Sequence, residues 1–244
     1  MILLYNGAPD FLMNRQRYAA IVPCYNVGRA CIPVLEKTSA AVDLCIAVDD
    51  GSTDNTLASM RSLSAPNLKI LTHDKNRGKG VALLTGFRAV LQEGGYAAIL
   101  TLDGDGQHDP SHISDFLTEF ERAGQDLIIG NRMADRRPMP LHRQWLNRLS
   151  NWTISRVCRQ PIADSQCGFR LYSANLLTRM LDHLRSGRYE LETEILIKAS
   201  RSGMKVGFVP VTTIYSAETN SLSHHNLFDV LRIARLVTVH FFRR

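Results

Sequence analysis

Short apolar runs alternate with helical segments over residues 18 to about 130, and this alternation limits the possible fold more than any other feature. Each run ends in a polar or glycine-rich turn, as buried strands do. The predicted strands are residues 19–22, 44–48, 68–71, 97–102 and 127–129. The predicted helices between them are residues 28–41, 54–63, 79–92 and 110–123. This pattern predicts an α/β fold, a Rossmann-like, mostly parallel sheet with helices on both faces.

The pattern is less regular after Asn131. Four apolar residues recur at helical spacing, and we expect this stripe to face the core rather than a cofactor. They are Leu141, Trp145, Leu149 and Trp152. Further predicted elements are a helix over 192–202, strands over 206–211 and 213–215, and a basic amphipathic helix over 227–242. The chain therefore divides into an N-terminal arm (1–17), an α/β domain (18–220) and a C-terminal amphipathic helix (221–244).

One loop carries the strongest chemical signal. The strand over residues 97–102 leads into Asp103-Gly104-Asp105-Gly106-Gln107, where the glycines allow a tight bend. Two carboxylates and an amide oxygen are hard ligands, suited to Mg²⁺ or Mn²⁺ together with the phosphates of a substrate. Ligands usually bind at the carboxyl ends of strands in such a sheet. The loop therefore predicts a metal–diphosphate site.

Two other interpretations of this loop remain. Its alternating oxygen ligands resemble the start of a helix–loop–helix calcium site, which requires Gly at the sixth position and Glu at the twelfth. This chain has His108 and Ser114 there, and a strand precedes the loop. Alternatively, the loop is an acidic turn that caps the next helix, since Asp109 before Pro110 is a good N-cap pair. That interpretation leaves the adjacent like charges of Asp103 and Asp105 unexplained.

The composition fits a single folded domain and favours an anionic partner. Apolar residues make up 45% of the 244 residues and charged residues 21%, which argues against global disorder. The net charge of +6 suits a nucleotide or a phospholipid surface. The basic residues are scattered and lack interleaved aromatic residues, so we expect no nucleic-acid partner. The five cysteines lack C-x-x-C spacing, which predicts reduced core thiols and a cytoplasmic location. No apolar run reaches 18 residues, so we expect no membrane span.

Three further turns follow predicted strands. Pro23-Cys24-Tyr25-Asn26 and the turn from Asp49 to Asp54 place an aromatic face and a carboxylate at neighbouring strand ends, an arrangement suited to a nucleobase. The segment Asn76-Arg77-Gly78-Lys79-Gly80 opens a helix and suits an anion, because helix N-termini and lysine both attract negative charge. It is not the P-loop, since the G-x-x-x-x-G-K-[ST] spacing is absent.

Six motifs follow one another along the chain over residues 18–215. They are Ile-Val-Pro-Cys-Tyr-Asn, Val-Asp-Asp-Gly-Ser-Thr-Asp, Asn-Arg-Gly-Lys-Gly, Leu-Asp-Gly-Asp-Gly-Gln-His, Gly-Asn-Arg and Asp-Ser-Gln-Cys-Gly-Phe-Arg. In this order they resemble family 2 glycosyltransferases of the GT-A fold. They are most similar to the dolichyl- and polyprenyl-phosphate mannose and glucose synthases.

The resemblance implies a donor site for a UDP- or GDP-hexose. Its base and ribose would contact Pro23, Tyr25, Asn26 and Asp50. Its diphosphate would be bound by Mg²⁺ or Mn²⁺ on Asp103, Asp105 and Gln107, with Asp105 catalytic and Lys79 close to the anion.

The resemblance also implies an acceptor, expected to be a polyprenyl phosphate. Arg132 and Arg143 would face its phosphate or the leaving diphosphate, Arg170 would do likewise, and Glu192 would border the acceptor site. Arginine suits this role because its planar fork binds phosphate with two hydrogen bonds. We expect the C-terminal helix either to lie on the inner face of the cell membrane or to pack on the domain.

Three alternatives to this function stay open. The first is transfer to a hydroxyl group of a glycan or glycolipid, which requires a carboxylate base such as Asp109 or Glu192. The second is a nucleotidyltransferase that makes sugar nucleotides, although Pro23-Cys24-Tyr25-Asn26 is not the glycine-rich loop expected after its first strand. The third is a non-enzymatic nucleotide-binding module, which has no need for Asp103 and Asp105.

Overall fold

The structure is a computed structural model that describes residues 15–134, 141–214, 232 and 235–239. It contains a seven-stranded sheet in the order β3-β2-β1-β4-β6-β5-β7. The strands are β1 (Tyr18–Cys24), β2 (Leu44–Asp49), β3 (Leu68–Thr72), β4 (Ala98–Thr101), β5 (Leu127–Asn131), β6 (Arg170–Ser173) and β7 (Val206–Pro210). Only β6 runs antiparallel to its neighbours, β4 and β5, among these seven strands. The mostly parallel α/β sheet is confirmed.

Seven α-helices connect or flank the strands in the described part of the chain. They are α1 (Cys31–Ala41), α2 (Thr56–Arg61), α3 (Lys79–Glu93), α4 (Ile113–Ala123), α5 (Leu141–Cys158), α6 (Ala174–Met180) and α7 (Glu190–Arg201). Short 3₁₀ turns precede α1 and α4, at Gly28–Ala30 and Pro110–His112. The carboxylate of Asp109 accepts a hydrogen bond from the amide of Ser111, so the predicted N-cap is present.

The core lies on both faces of the central strands. Every residue of β2 and β4 is buried, and side chains alternate between the two faces of a strand, so both faces are covered. The edge strand β3 is only half buried and carries Lys69, as an edge strand tolerates. All five cysteines are buried free thiols, in agreement with the prediction of small core residues.

The structure differs from the sequence analysis at three places. Strand β6 was not predicted, because it is four residues long and begins with a charged arginine. The strand predicted over 213–215 is reduced to an isolated bridge between Thr213 and His108 in the described residues. The apolar stripe of α5 does not face the core at Leu149 and Trp152, which are 61% and 58% exposed.

The opposite face of α5 explains this last error. Ile154, Val157 and Cys158 are buried, and α5 packs on α7. The apolar spacing correctly predicts a helix here, but the prediction of its buried face is wrong at Leu149 and Trp152. The face that is buried is the one that packs on α7. The side chains of Leu141 and Trp145 lie outside the described part of the structure.

The first and the last described residues both pack on the domain. Arg17 donates to the hydroxyl of Tyr96 and lies over its ring, 4.4 Å from the centroid. Residues 235–239 are helical, and Val237 is 8% exposed and belongs to the core. The rest of the predicted arm and most of the predicted 227–242 helix fall outside the described residues.

Candidate active site

The candidate site lies where the order of the parallel strands reverses. The chain moves outward from β1 to β2 and β3 on one side, and β4 pairs with β1 on the other. Such a switch point leaves a crevice at the carboxyl ends of the two central strands. Tyr25 follows β1 and Asp103 follows β4, so both lie at this crevice.

The carboxylate loop, residues 103–107, is fixed by close packing. A Cβ on Gly104 would come within 2.5 Å of the Cys24 sulfur, so the loop can lie against β1 only with glycine at this position. Gly106 has φ +78°, a backbone conformation that favours glycine. The carboxylate of Asp105 accepts a hydrogen bond from the Gln107 amide at 2.9 Å. The loop therefore holds Asp103 and Asp105 close together.

Lys79 neutralises Asp103. Its ammonium group lies 2.6 Å from Asp103 Oδ1 and 3.0 Å from Glu192 Oε2. Burial alone would raise the pKa of Asp103, but the positive charge of Lys79 and the neighbouring His108 hold this pKa well below its usual range. Burial and the negative charge of Asp103 both raise the pKa of Asp105. The neighbouring cations therefore neutralise only part of the negative charge of the carboxylate loop.

Gly168 lets the turn before β6 cover this ion pair. A Cβ at this position would lie 2.6 Å from Asp103 Oδ2 and 2.8 Å from Lys79 Nζ. Strand β6 pairs Arg170 with Thr101 of β4, which brings the turn to the carboxyl end of β4. The turn before the antiparallel strand β6 therefore forms part of the candidate site, together with the loops that follow the parallel strands.

Arg170 is a structural residue, which corrects the prediction that it contacts a phosphate. It is 1% exposed, and its guanidinium donates to the backbone carbonyls of three other residues. These are Cys167 at 2.7 Å, Glu192 at 2.8 Å and Ser165 at 2.9 Å. A guanidinium with these partners holds the turn against α7 and does not reach a ligand.

Glu192 lies between two cations. Its Oε2 contacts Lys79, while Oε1 is 3.8 Å from Arg170 Nε. Oε1 is buried and has no hydrogen-bond partner within the described residues. Its neighbour on α7, Glu194, accepts from the amides of Arg185 and Ser186 and so supports a loop. Of the two glutamates, only Glu192 is directed toward the carboxylate loop.

The segments predicted to hold the nucleoside lie next to each other. Asn26 Oδ1 accepts from the Thr53 amide at 2.8 Å, and the Asn26 amide donates to Ser52 Oγ at 3.0 Å. Pro23 is half-buried at the end of β1, and the ring of Tyr25 is 38% exposed beside it. The aromatic face is therefore accessible, whereas the amide oxygen of Asn26 is used to hold the turn.

Asp50 is positioned differently from its prediction. It is buried, and its carboxylate accepts from His73 Nδ1 at 2.6 Å and from the amides of Arg77 and Gly78 at 3.0 and 2.7 Å. It therefore anchors the loop that leads to Lys79. The side-chain carboxylate of Asp49, the last residue of β2, accepts a longer hydrogen bond from the Ser52 amide, at 3.3 Å.

The chemistry of this site fits a hard divalent cation. Asp103 and Asp105 supply two carboxylates, and burial, followed by the negative charge of Asp103, raises the pKa of Asp105. A cation between the two carboxylates would offset the repulsion between them. In the parts of the chain that the structure describes, no cluster of three or more His, Cys, Asp or Glu residues surrounds such a position. The remaining ligands would come from Gln107, from water or from the phosphates of a substrate, as is usual for Mg²⁺.

Comparison with known proteins agrees with this architecture. Residues 19–181, about two thirds of the chain, match the model of the glycosyl transferase family 2. The chain belongs to this family. It is a glycosyltransferase.

Two curated relatives have lipid phosphates in their names. The glycosyltransferase is 30% identical to the UDP-N-acetylglucosamine–dolichyl-phosphate N-acetylglucosaminyltransferase of Methanococcus voltae, over 80% of this chain and 85% of the relative. It is also 30% identical to the polyprenol monophosphomannose synthase of Mycolicibacterium smegmatis, over 84% and 80%.

A solved structure shares the fold. The glucosyl-3-phosphoglycerate synthase of Mycobacterium tuberculosis, in complex with Mn²⁺, uridine diphosphate and glucosyl-3-phosphoglycerate, matches with a TM-score of 0.69 at 18% identity. The match covers 93% of the glycosyltransferase and 78% of that chain. At this identity the likeness confirms the GT-A fold.

Arg132 of the glycosyltransferase is held by a partner that the sequence did not reveal. Its Nε and Nη2 donate to the two oxygens of Asp164 at 2.8 and 3.0 Å, and its amide donates to the same carboxylate. Burial alone would raise the pKa of Asp164, but Arg132 lowers it. Arg143 lies in the first turn of α5, and its side chain is outside the described part of the structure.

Sequence reasoning missed Asp164 and His73 as parts of the site. Asp164 is the first residue of the Asp-Ser-Gln-Cys-Gly-Phe-Arg motif, so the motif could have drawn attention to it. Its partner Arg132 lies 32 residues away in the sequence, and no local pattern connects the two. His73 follows β3 directly, and its position after a strand was the only signal in the sequence. No described helix is both long and apolar enough to cross a membrane.

Proposed function

We propose that this glycosyltransferase moves a hexose from a nucleoside-diphosphate sugar to a polyprenyl phosphate, with inversion at the anomeric carbon and with Mg²⁺ or Mn²⁺ as cofactor. The observation that carries this proposal is the pair of carboxylates, Asp103 and Asp105, at the crevice between β1 and β4. Asp103 is paired with Lys79, and the exposed Tyr25 follows β1 at the same crevice.

The donor half of the proposal follows from the charges at this crevice. A divalent cation on Asp103 and Asp105 would stabilise the negative charge that develops on the leaving diphosphate. Lys79 stands at the N-terminus of α3, where backbone amides and the helix dipole also favour an anion. Glu192 holds the Lys79 ammonium between itself and the carboxylate loop. Tyr25 offers an exposed stacking surface for the base at the end of β1.

Solved structures of similar fold support a diphosphate donor. The synthase of Mycobacterium tuberculosis was solved with Mn²⁺ and UDP-glucose, and also with Mn²⁺ and uridine diphosphate.

The acceptor half rests on which groups could serve as a base. A hydroxyl acceptor needs a carboxylate to remove its proton, whereas a lipid phosphate is already anionic. Asp109 is a helix cap, and the hydrogen bond from Ser111 is the main cause of its lowered pKa. Glu192 is buried in an ion pair with Lys79. Neither carboxylate is poised as a base, which favours the phosphate acceptor.

The relatives support the same choice. Besides the two described above, the undecaprenyl-phosphate mannosyltransferase of Micrococcus luteus is 28% identical over 81% of this chain. We propose that Arg132 and Arg143 bind the acceptor phosphate, with Asp164 fixing the plane of the Arg132 guanidinium. The reaction would then take place at the inner surface of the cell membrane.

A transfer assay tests both halves. Purified protein is incubated with each radiolabelled UDP- or GDP-hexose and a polyprenyl phosphate in detergent, with Mn²⁺ or with excess EDTA. We expect label in the lipid phase for one donor and no transfer in EDTA. Transfer to a soluble glycan hydroxyl but not to the lipid would overturn the acceptor, and full activity in EDTA would overturn the metal.

A further inference from the structure

Helix α5 exposes large apolar side chains on the side away from the core. Leu149 and Trp152 lie one turn apart, and both are more than half exposed. The opposite face of α5, with Ile154, Val157 and Cys158, is buried against the domain. Leu149 and Trp152 are therefore not needed to pack the helix on the core. A contiguous apolar patch on a polar surface commonly marks an interaction site.

Arginines surround this apolar pair. Arg148 and Arg156 are exposed on the same helix, and the Arg156 guanidinium lies 5.3 Å from the centroid of the Trp152 ring. Arg159 follows the helix and is also exposed. Between Asp135 and Asp164 the sequence contains six arginines and no Asp or Glu. The whole segment is therefore cationic, and nothing acidic within it offsets that charge.

We propose that this outer face of α5, consisting of Arg148, Leu149, Trp152, Arg156 and Arg159, docks the protein on an anionic lipid surface. Tryptophan and arginine favour the boundary between lipid headgroups and acyl chains, and leucine inserts below it. Each arginine near an anionic surface strengthens binding by about fivefold. The face thus combines the apolar and the electrostatic contributions that peripheral binding requires.

A lipid surface fits this face better than a second copy of the chain. In a twofold dimer the same patch would meet itself, so the arginines of one copy would face those of the other. The sequence left open whether the C-terminal helix lies on the membrane or packs on the domain, and Val237 of this helix is buried in the core. The apolar contribution to lipid binding is therefore better placed on α5.

The helix is linked directly to the acceptor side of the site. Asn151, next to Trp152, donates to the Ala163 carbonyl at 2.7 Å and accepts from the Ser165 amide at 2.9 Å. Asp164, between these two residues, holds Arg132. Docking through α5 would therefore fix the position of Arg132 relative to the membrane. The inference extends the proposed function, since a polyprenyl phosphate is held in a membrane.

Vesicle binding without any acceptor lipid tests the proposal. Vesicles of phosphatidylglycerol and phosphatidylcholine in equal parts are sedimented with wild-type protein, with Leu149→Ser/Trp152→Ser and with Arg148→Gln/Arg156→Gln. We expect the apolar variant to bind at least about tenfold more weakly, and the arginine variant about thirtyfold. The matched control, Arg61→Gln/Arg179→Gln, removes two exposed arginines from α2 and α6 and should bind within about twofold of wild type.

The fluorescence of Trp152 gives a second, independent readout. In a Trp145→Phe background Trp152 is the only tryptophan, because the chain contains two. We expect a blue shift with anionic vesicles and quenching by lipids brominated on the acyl chain. An unshifted spectrum, or wild-type binding by the Leu149→Ser/Trp152→Ser variant, would overturn the proposal. So would a wild-type dimer that the same variant converts to a monomer with unchanged vesicle binding.

These outcomes are separate from the proposed function. Failure of the wild-type protein to bind the vesicles, together with transfer to polyprenyl phosphate in detergent, would overturn only the docking face. Vesicle binding that depends on α5, together with transfer to a soluble hydroxyl acceptor alone, would overturn only the lipid acceptor.

Discussion

The carboxylate loop after β4 and the turn that leads into β6 lie side by side, but they differ in how far their charged side chains are buried and paired. In the loop, Asp103 is 30% exposed in its side chain, and Lys79 is its close cation. In the turn, Arg170 is fully buried with three carbonyl partners, and buried Asp164 is held by both arms of Arg132. A charge whose partners are complete maintains the fold, whereas a charge that is accessible and incompletely balanced is available to a ligand.

The largest expected effect is on catalysis, from Asp105→Asn. Removing one carboxylate from the proposed metal site should lower transfer by about a thousandfold, or about 4 kcal/mol of transition-state stabilisation. The thermal midpoint should not fall, because burial beside Asp103 already disfavours the charge. Asp115→Asn, on the exposed surface of α4, is the matched control and should keep wild-type turnover. Wild-type activity of the Asp105 variant would contradict the assignment of the loop.

Arg170→Met should show the opposite behaviour. It leaves three buried carbonyls without their donor and removes one of the two cations beside Glu192, so the free energy of unfolding should fall by about 3–4 kcal/mol in urea denaturation. The KM for the donor should change little in the protein that remains folded. A large rise in that KM without a loss of stability would place Arg170 in the substrate site after all.

Lys79→Met tests the link between the two regions, because Lys79 contacts both the carboxylate loop and Glu192. We expect a loss of about 2 kcal/mol in unfolding free energy, less than for a fully buried pair because Asp103 is partly exposed. Mn²⁺ should restore more stability to this variant than it adds to wild type, since a cation would replace the missing ammonium. Lys69→Met breaks an exposed pair with Glu93 and should change stability by less than about 0.5 kcal/mol. Equal effects of the two lysine variants would contradict the comparison.

A smaller effect is expected from the pH dependence of the Arg132–Asp164 pair. The pKa of Asp164 is lower in the folded than in the unfolded chain, because Arg132 outweighs the effect of burial. Its contribution is therefore fully present above the unfolded pKa of about 4 and is lost as the pH falls through the folded value. The stability difference between wild type and Asp164→Asn should shrink by about 1 kcal/mol between pH 6 and pH 3. A difference that stays constant over this range would contradict the charge pairing.

The same comparison explains what the sequence could predict. The position of Asp103 and Asp105 after β4 could be predicted, because a strand end in a parallel sheet fixes where its loop lies. Arg170 was misassigned because its partners come from residues 165, 167 and 192, which no local pattern connects. The stripe on α5 gave the right helix and the wrong face, since periodicity says nothing about which side meets α7. Strand β6 was missed because its first residue is an arginine, whose charge only the folded chain can accommodate.

The central claim, that Asp103 and Asp105 hold a cation together with the donor diphosphate, is tested most directly by Mn²⁺ binding. Free Mn²⁺ is measured by electron paramagnetic resonance during titration of wild type and Asp105→Asn, with and without UDP or GDP. We predict that one nucleotide tightens Mn²⁺ binding to wild type by at least about tenfold, and that the variant loses this gain. Equal tightening in both proteins would contradict the claim.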